Sequence, residues 1–319
     1  MASGLPAAQS AELDFIVLTD HNTLRARTEG WEGWHGGTLL VVGEEITSRE
    51  GHCLAIGATA RVGRRGYRQP PDRVIQNIRA QDGLSFLAHP HGSYRPFFRR
   101  RDHSWRDWRV NSYTGIEVWS YMFDWVRDFR FYRWARHYRH PNSQIRGPFP
   151  ETLSAWDRLC RKTRVVGIGS VDAHARRYPL LPFVVFPYAD LFRTLRTHVL
   201  TPQPLTGCAP DDIACLLRAL REGNCFISYD LLGDATGVRF GSADGALQMG
   251  DEQAFAGPAQ LEIRLPAKAE LTVLRDGRPF IVRLAAVHCF CADTPGVYRV
   301  AARRNGKPWI YTNPIYLRG

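Results

Sequence analysis

The sequence predicts an α/β core followed by a smaller β domain, and three observations carry this. Short apolar runs at residues 13–19, 39–42, 52–57, 84–88, 116–119 and 165–168 are interspersed with helix-like stretches. Polar residues stand at the ends of these runs, where α/β barrels build their active sites. From about Gly237 the pattern changes to short alternating segments broken by turns, the signature of small β domains.

The elements follow in order. Residues 13–19 form an expected strand that runs into Asp20-His21-Asn22-Thr23, and residues 39–42 a second that leads into Gly43-Glu44-Glu45. A third apolar run, 52–57, opens with His52. Residues 71–82 read as a helix: Pro71 and Asp72 suit its first turn, Val74, Ile75 and Ile78 share a face, and Gly83 stops it. Residues 84–88 are a buried strand ending at His89-Pro90, and 116–119 repeat that style. A helix over 152–162 precedes the strand 165–168, which leads to Asp172-Ala173-His174. A helix over 211–222 leads into the strand 225–228. Beyond it, segments 260–265, 270–274, 280–284 and 296–301, with Asp276-Gly277 as a turn signal, read as a β-sandwich-like unit. The expected domains are 1–232 and 233–319, with an insertion over 93–140.

Composition narrows the class. The chain has 319 residues, 44% hydrophobic and 23% charged, which is globular and not disordered. No apolar run reaches the 18 residues of a membrane-spanning helix. The first ten residues lack the basic start and apolar core of a signal peptide. Seven scattered cysteines without a CxxC pair argue against a disulfide framework or a zinc knuckle. A soluble cytoplasmic protein is expected. The net charge of +11 comes almost wholly from Arg, since Lys occurs only at 162, 268 and 307. Such an excess speaks to solubility and association, whereas local Arg clusters favour anionic ligands. The expected partner is a small anionic or ester substrate, with no membrane and no nucleic acid.

Six residues at the ends of apolar runs carry the chemistry: His21, Glu45, His52, His89, Asp172 and His174. Imidazole and carboxylate together suit Zn, Mn or Fe. One such histidine is ordinarily a structural hydrogen-bonding residue, but six convergent groups reverse that reading.

Thr19-Asp20-His21-Asn22-Thr23, Gly43-Glu44-Glu45-Ile46-Thr47 with Gly51-His52, Ala88-His89-Pro90, and Gly169-Ser170-Val171-Asp172-Ala173-His174 resemble, in order, successive motifs of the PHP (polymerase and histidinol phosphatase) superfamily. The resemblance covers about residues 12–230. Residues 216–228 and the ending Pro308-Trp309-Ile310-Tyr311-Thr312-Asn313-Pro314-Ile315-Tyr316 are similar to the carbaryl-hydrolase-like branch, which carries a C-terminal β domain. The resemblance implies a distorted (β/α)7 barrel with two or three divalent metals, Zn, Mn or Fe, at the C-terminal ends of its strands. By motif, His21 and His174 would serve one metal, which Asp172 faces. Glu45 would bridge two, and His52 and His89 would complete another. The nucleophile would be a water activated by the metals.

The chain departs from that pattern at its start. PHP proteins begin with a His-x-His motif on their first strand and a Ser-Asp-Gly-type turn, whereas here Asp20 already belongs to the second-strand motif. One strand and up to three ligands are therefore expected to be missing. The favoured reading is a natural protein longer than 319 residues; the other is a short paralogue with a crippled first metal site. Glu45, His52 and His89 remain a three-ligand set with an open position, enough for a catalytic zinc. His21, Asp172 and His174 are expected to bind metal weakly. An unpaired strand edge leads us to expect a poorly stable or homo-oligomeric product.

Other residues need weighing. The insertion is crowded with Arg95, Phe97, Phe98, Arg99, Arg100, Arg101, Trp105, Arg106, Trp108 and Arg109, then with Trp125, Arg127, Arg130, Tyr132, Arg133 and Trp134. Trp125, Phe129, Tyr132 and Arg136 keep helical spacing, which favours helices packing their aromatics on the core. A substrate cap and a platform for single-stranded nucleic acid are the alternatives. His91 and His103 are candidates for substrate contact or proton transfer. Glu117 is a candidate for orienting a ligand histidine, and Arg176 and Arg177 for holding a phosphate or carboxylate. His89, Asp172 and His91 are the expected catalytic residues. The function this supports is a metal-dependent hydrolase acting on phosphate esters or related ester or carbamate bonds. Its rivals are a catalytically inactive scaffold serving as a binding module and a nucleic-acid-processing module.

Overall fold

A computed structural model describes residues 4–64, 66–94, 101–102, 104–177 and 184–319. Two sheets carry the fold. The first comprises β1 (Phe15–His21), β2 (Gly33–His35), β3 (Thr38–Thr47), β4 (His52–Ile56), β5 (Leu84–Leu87), β6 (Gly115–Ser120) and β7 (Val166–Ser170). Its order is β1-β3-β4-β5-β6-β7, with β2 hydrogen-bonded to β3. The pairs β1–β3, β5–β6 and β6–β7 are parallel, and β4 runs antiparallel to both of its neighbours. Because β4 is reversed, its first residue, His52, lies opposite Thr47 at the end of β3. A histidine that opens a strand thereby joins residues that close strands.

Helices α1 (Gly4–Ser10), α2 (Pro71–Arg79), α3 (Tyr121–Arg127), α4 (Trp134–Arg139), α5 (Pro150–Cys160) and α6 (Ala209–Glu222) complete the core. A proline stands in the first turn of α2, α5 and α6, where its missing N–H costs nothing. Strand parity sorts the core residues. Phe15 and Val17, Leu39 and Val41, Leu54 and Ile56, Phe86, and Val166 and Ile168 form one cluster with Leu216 and Leu220 of α6. Residues of the other parity, such as Ile46, Cys53, Leu87 and Ile116, pack with Val74, Ile75 and Ile78 of α2 and Trp156 of α5. Both faces of β3, β4, β5 and β6 are thus buried, as strands covered on both sides require, whereas β1 is only partly covered.

The first sheet curls without closing: β1 and β7 are its two edges. The outer edge of β7 is satisfied by side chains. Thr197 Oγ1 accepts from Gly169 N at 2.9 Å and donates to Gly169 O at 2.8 Å. Asn313 Oδ1 accepts from Gly167 N at 2.7 Å, and its Nδ2 donates to Gly167 O at 2.9 Å and Cys225 O at 2.8 Å. The approach is close enough to need a glycine, since a Cβ on Gly169 would lie 2.6 Å from Ile227 Cγ2.

Thr197 and Asn313 come from the second sheet or its margin. That sheet comprises β8 (Leu195–Val199), β9 (Cys225–Tyr229), β10 (Arg239–Ser242), β11 (Glu252–Ala254), β12 (Ala259–Arg275), β13 (Arg278–Ala292), β14 (Gly296–Arg304), β15 (Lys307–Thr312) and β16 (Ile315–Arg318). Its order is β8-β9-β15-β14-β12-β10, with β13 on β12, β16 on β14 and β11 on β16. The nine strands hydrogen-bond into one continuous sheet. Segments 260–265 and 270–274, expected as separate strands, are one strand of 17 residues. Its pairing with β13 has a register shift between Arg264 and Ala269, an irregularity of the bulge kind. The sheet takes in β8 and β9, which precede residue 233.

The 93–140 segment contains the core strand β6. Trp105, Trp125 and Phe129 are buried against the first sheet. Because α3 ends at Arg127, Tyr132 does not continue the face of Trp125 and is 75% exposed. Arg95, Phe97, Phe98, Arg99, Arg100 and His103 lie outside the described residues. Among the described residues no helix is long and apolar enough to cross a membrane.

Asn313 makes its contacts at 1% exposure, so Asn313→Ala leaves the N–H and C=O of Gly167 without their side-chain partner in the core. A loss of about 3 kcal/mol is expected, read as a lower urea midpoint at unchanged slope; an unchanged midpoint contradicts the edge-capping role.

Candidate functional site

The parallel β1–β3 register places His21 directly opposite Glu45. Asn22, in a left-handed conformation at φ +52°, secures the turn that follows. Its Nδ2 donates to Thr47 Oγ1 at 3.1 Å, and its Oδ1 accepts from Thr47 N at 3.0 Å. The tandem glutamates on β3 then separate by parity. Glu44 accepts from the backbone N–H groups of Val62 at 2.9 Å and Gly63 at 3.1 Å, holding a loop. Glu45 points the other way, into the curl of the sheet.

Glu45 is 6% exposed and is the hub of the site. Its Oε1 lies 2.6 Å from His52 Nδ1 and 3.4 Å from His89 Nε2, and its Oε2 lies 3.7 Å from His21 Nδ1. Ligand atoms of His21, Glu45 and His52 all fall within 4.8 Å of one another. The rings of His21 and His52 are 5.4 Å apart, those of His52 and His89 5.2 Å, and those of His21 and His174 5.9 Å. Asp172 Oδ1 lies 3.5 Å from His174 Nδ1. His21, His52 and His89 thereby gather around Glu45, and His174 stands beside His21 with Asp172 next to it. Imidazole nitrogens and carboxylate oxygens at this separation fit a divalent ion such as Zn, Mn or Fe. A cavity of about 700 Å³ opens onto His21, Glu45, His89, Asp172 and His174 and continues between Phe15, Val17, Leu54 and Phe86.

The electrostatics follow from burial and pairing. Burial alone would favour a neutral Glu45, but hydrogen bonds to His52 and His89 outweigh it and hold the carboxyl well below the usual range. His89 is pushed up: burial opposes its charge, yet Glu45, Glu117 and Asp172 together prevail. His21 is pushed down, because its burial outweighs the attraction of Glu45. Glu117 is fully buried, and that burial, reinforced by Asp172 against the pull of His89 and Ser170, pushes it up to about 7.

The remaining candidates are placed as follows. His91 faces α5: its Nδ1 lies 2.9 Å from Thr152 Oγ1 and its ring stacks on Trp108 at 5.3 Å. Glu117 reaches His89 through the backbone, its Oε2 accepting from His89 N at 2.6 Å while its Oε1 accepts from Ser170 Oγ at 2.5 Å. Arg176 and Arg177 occupy a two-residue strand paired with Val184–Val185; their side chains lie outside the described residues. Tyr188 and Arg196 also line the cavity, with Arg196 Nη1 held 3.2 Å from Asp230 Oδ2. Neither belongs to a motif, so nothing in the sequence marks them. Ser170 and Asn22 stood inside the quoted motifs, but only their contacts reveal what they hold.

No family model matches the chain. An uncharacterized protein of Methanocaldococcus jannaschii is 28% identical over 88 residues, covering 27% of this chain and 50% of the relative. The chain thus spans about half the length of that curated relative. Among solved structures, the crystal structure of a two-domain protein from Bacteroides vulgatus, containing a predicted PHP-like metal-dependent phosphoesterase, aligns with 97% of this chain and 90% of that one. The identity is 14% and the TM-score 0.43. The chemistry of the site rests on its own geometry.

A carboxyl whose folded pKa is raised contributes stability at low pH that is lost as pH climbs. For Glu117 the window runs from its ordinary 4.5 to about 7. Metal-free wild type should therefore lose up to about 3 kcal/mol relative to Glu117→Gln across that window. Chemical unfolding of both proteins at several pH values checks this, and parallel pH profiles contradict it.

Proposed function

We propose that the chain is a metal-dependent hydrolase acting on phosphate esters or on related ester or carbamate bonds. The observation that carries this is the convergence of His21, Glu45 and His52 ligand atoms within 4.8 Å, at a cavity large enough for a small substrate. The order of the four motifs, similar to those of PHP metallohydrolases, agrees with it.

Glu45, kept anionic by its histidines, would supply the charge that offsets a bound cation, and ring nitrogens of His52, His89 and His21 would supply the other donors. His174 and Asp172 extend the same cluster along the loop after β7. A bound divalent ion, Zn, Mn or Fe, supplies Lewis acidity to the scissile group and to the attacking water. Asp172, with its side chain 18% exposed beside His174, takes up the proton that the water releases. The substrate reaches the site at the mouth of the cavity, and the apolar walls of Phe15, Val17, Leu54 and Phe86 beyond it can take an apolar group. His91 contacts Thr152 and Trp108, and we assign it no catalytic step.

Metal analysis of protein purified without added metal should find at least about one equivalent of Zn, Mn or Fe per chain, falling below half in Glu45→Gln and His52→Ala. Turnover of aryl phosphate and carbamate substrates should fall about 10²–10⁴-fold in Asp172→Asn. Metal-free wild type, or an Asp172→Asn variant with full turnover, overturns the reading. Bound metal with no turnover of any substrate leaves the binding-scaffold reading in its place.

A further inference from the structure

We propose that Glu117 is a positioning residue that sets the geometry of the metal centre by clamping the loops after β5 and β7 to each other. The proposal rests on the metal-centre reading above. Glu117 lies on β6, the strand between these two, in a stretch where Ile116 pairs with both Leu87 of β5 and Gly167 of β7. Its two carboxylate oxygens reach in opposite directions. One takes the backbone N–H of His89, the second residue past the end of β5, and the other takes the hydroxyl of Ser170, the last residue of β7.

Both loops need such a tie. His89 has φ +31° and Asp172 has φ +49°, in the left-handed region that side chains with a Cβ rarely adopt. Residues held there persist only where the surroundings over-determine them. The Glu117 contact fixes the amide of His89 itself. The Ser170 contact fixes the strand end two residues before Asp172. Glu117 also sits at 2% exposure, where an ionisable side chain is a poor choice for stability alone. Its use is to hold His89 and Asp172, which come from separate loops, at a fixed spacing about Glu45. Groups that orient ligands in this way commonly change metal affinity 10–100-fold when removed.

A clamp and a generic structural role differ in what rescues them. In Glu117→Gln the amide oxygen still accepts from His89 N and the amide nitrogen donates to Ser170 Oγ, whose hydroxyl can turn. In Glu117→Ala both ties are gone, and in Ser170→Ala only one. Zn²⁺ affinity is measured by competition with a chromogenic chelator on the full chain, with folding checked by circular dichroism and His52→Ala as the control. We expect Glu117→Ala to lose about 10–100-fold, Ser170→Ala an intermediate amount, and Glu117→Gln to stay within about threefold of wild type. Wild-type affinity in Ser170→Ala, or a loss in Glu117→Gln as large as that in Glu117→Ala, overturns the clamp. If Glu117→Ala does not fold, the Ser170→Ala and Glu117→Gln arms decide by the same criteria. An unchanged affinity in His52→Ala means instead that the metal-centre reading has failed.

Discussion

The fold is arranged around one buried carboxylate. Glu45 is 6% exposed and has contacts with His21, His52 and His89 from three other segments. A charge in that position is tolerated only if partners reach it, and each partner must arrive from its own strand. The parallel pairing of β1 with β3, the reversal of β4 and the left-handed turn at His89 all deliver an imidazole to the same point. Moving any one of these elements by a residue would turn its histidine to the opposite face and leave the carboxylate short of a partner.

A second constraint is the open edge of the curled sheet. Strand β7 carries the loop of Asp172 and His174, so its exposed backbone must be satisfied if that loop is to stay placed. Thr197 and Asn313 do this with paired hydrogen bonds to Gly169 and Gly167, and Asn313 also ties in Cys225. The second sheet therefore serves the site from behind: it replaces a neighbouring strand with side chains. The glycines of β7 make this possible, since a Cβ at Gly167 or Gly169 would collide with Trp156 or Ile227.

The sequence made the core strands legible, because buried strands are short apolar runs, and acids and histidines mark their ends; that His21, His52 and His89 meet at Glu45 is settled by register and strand direction. The opposite directions of Glu44 and Glu45 follow from strand parity. Other features were not legible. The long strand β12 looked like two segments because Pro266, which cannot donate to a ladder, stands between them, yet the in-and-out alternation runs through it and the register shift falls there, between Arg264 and Ala269. Tyr132 kept helical spacing with Trp125 although the helix stops at Arg127. His91 stands two residues from His89, yet the turn between them sends it to Thr152. Tyr188 and Arg196 reach the cavity from segments that carry no motif, because proximity of that kind is made by tertiary packing alone.

The central claim is that Glu45 and its histidines hold a divalent ion, and anomalous diffraction from crystals grown with Mn²⁺ or Zn²⁺ tests it most directly. The account predicts an anomalous peak within coordination distance of Glu45, His52 and His21, at the mouth of the cavity. A peak located elsewhere, or no peak with these side chains still bonded to one another, would contradict it.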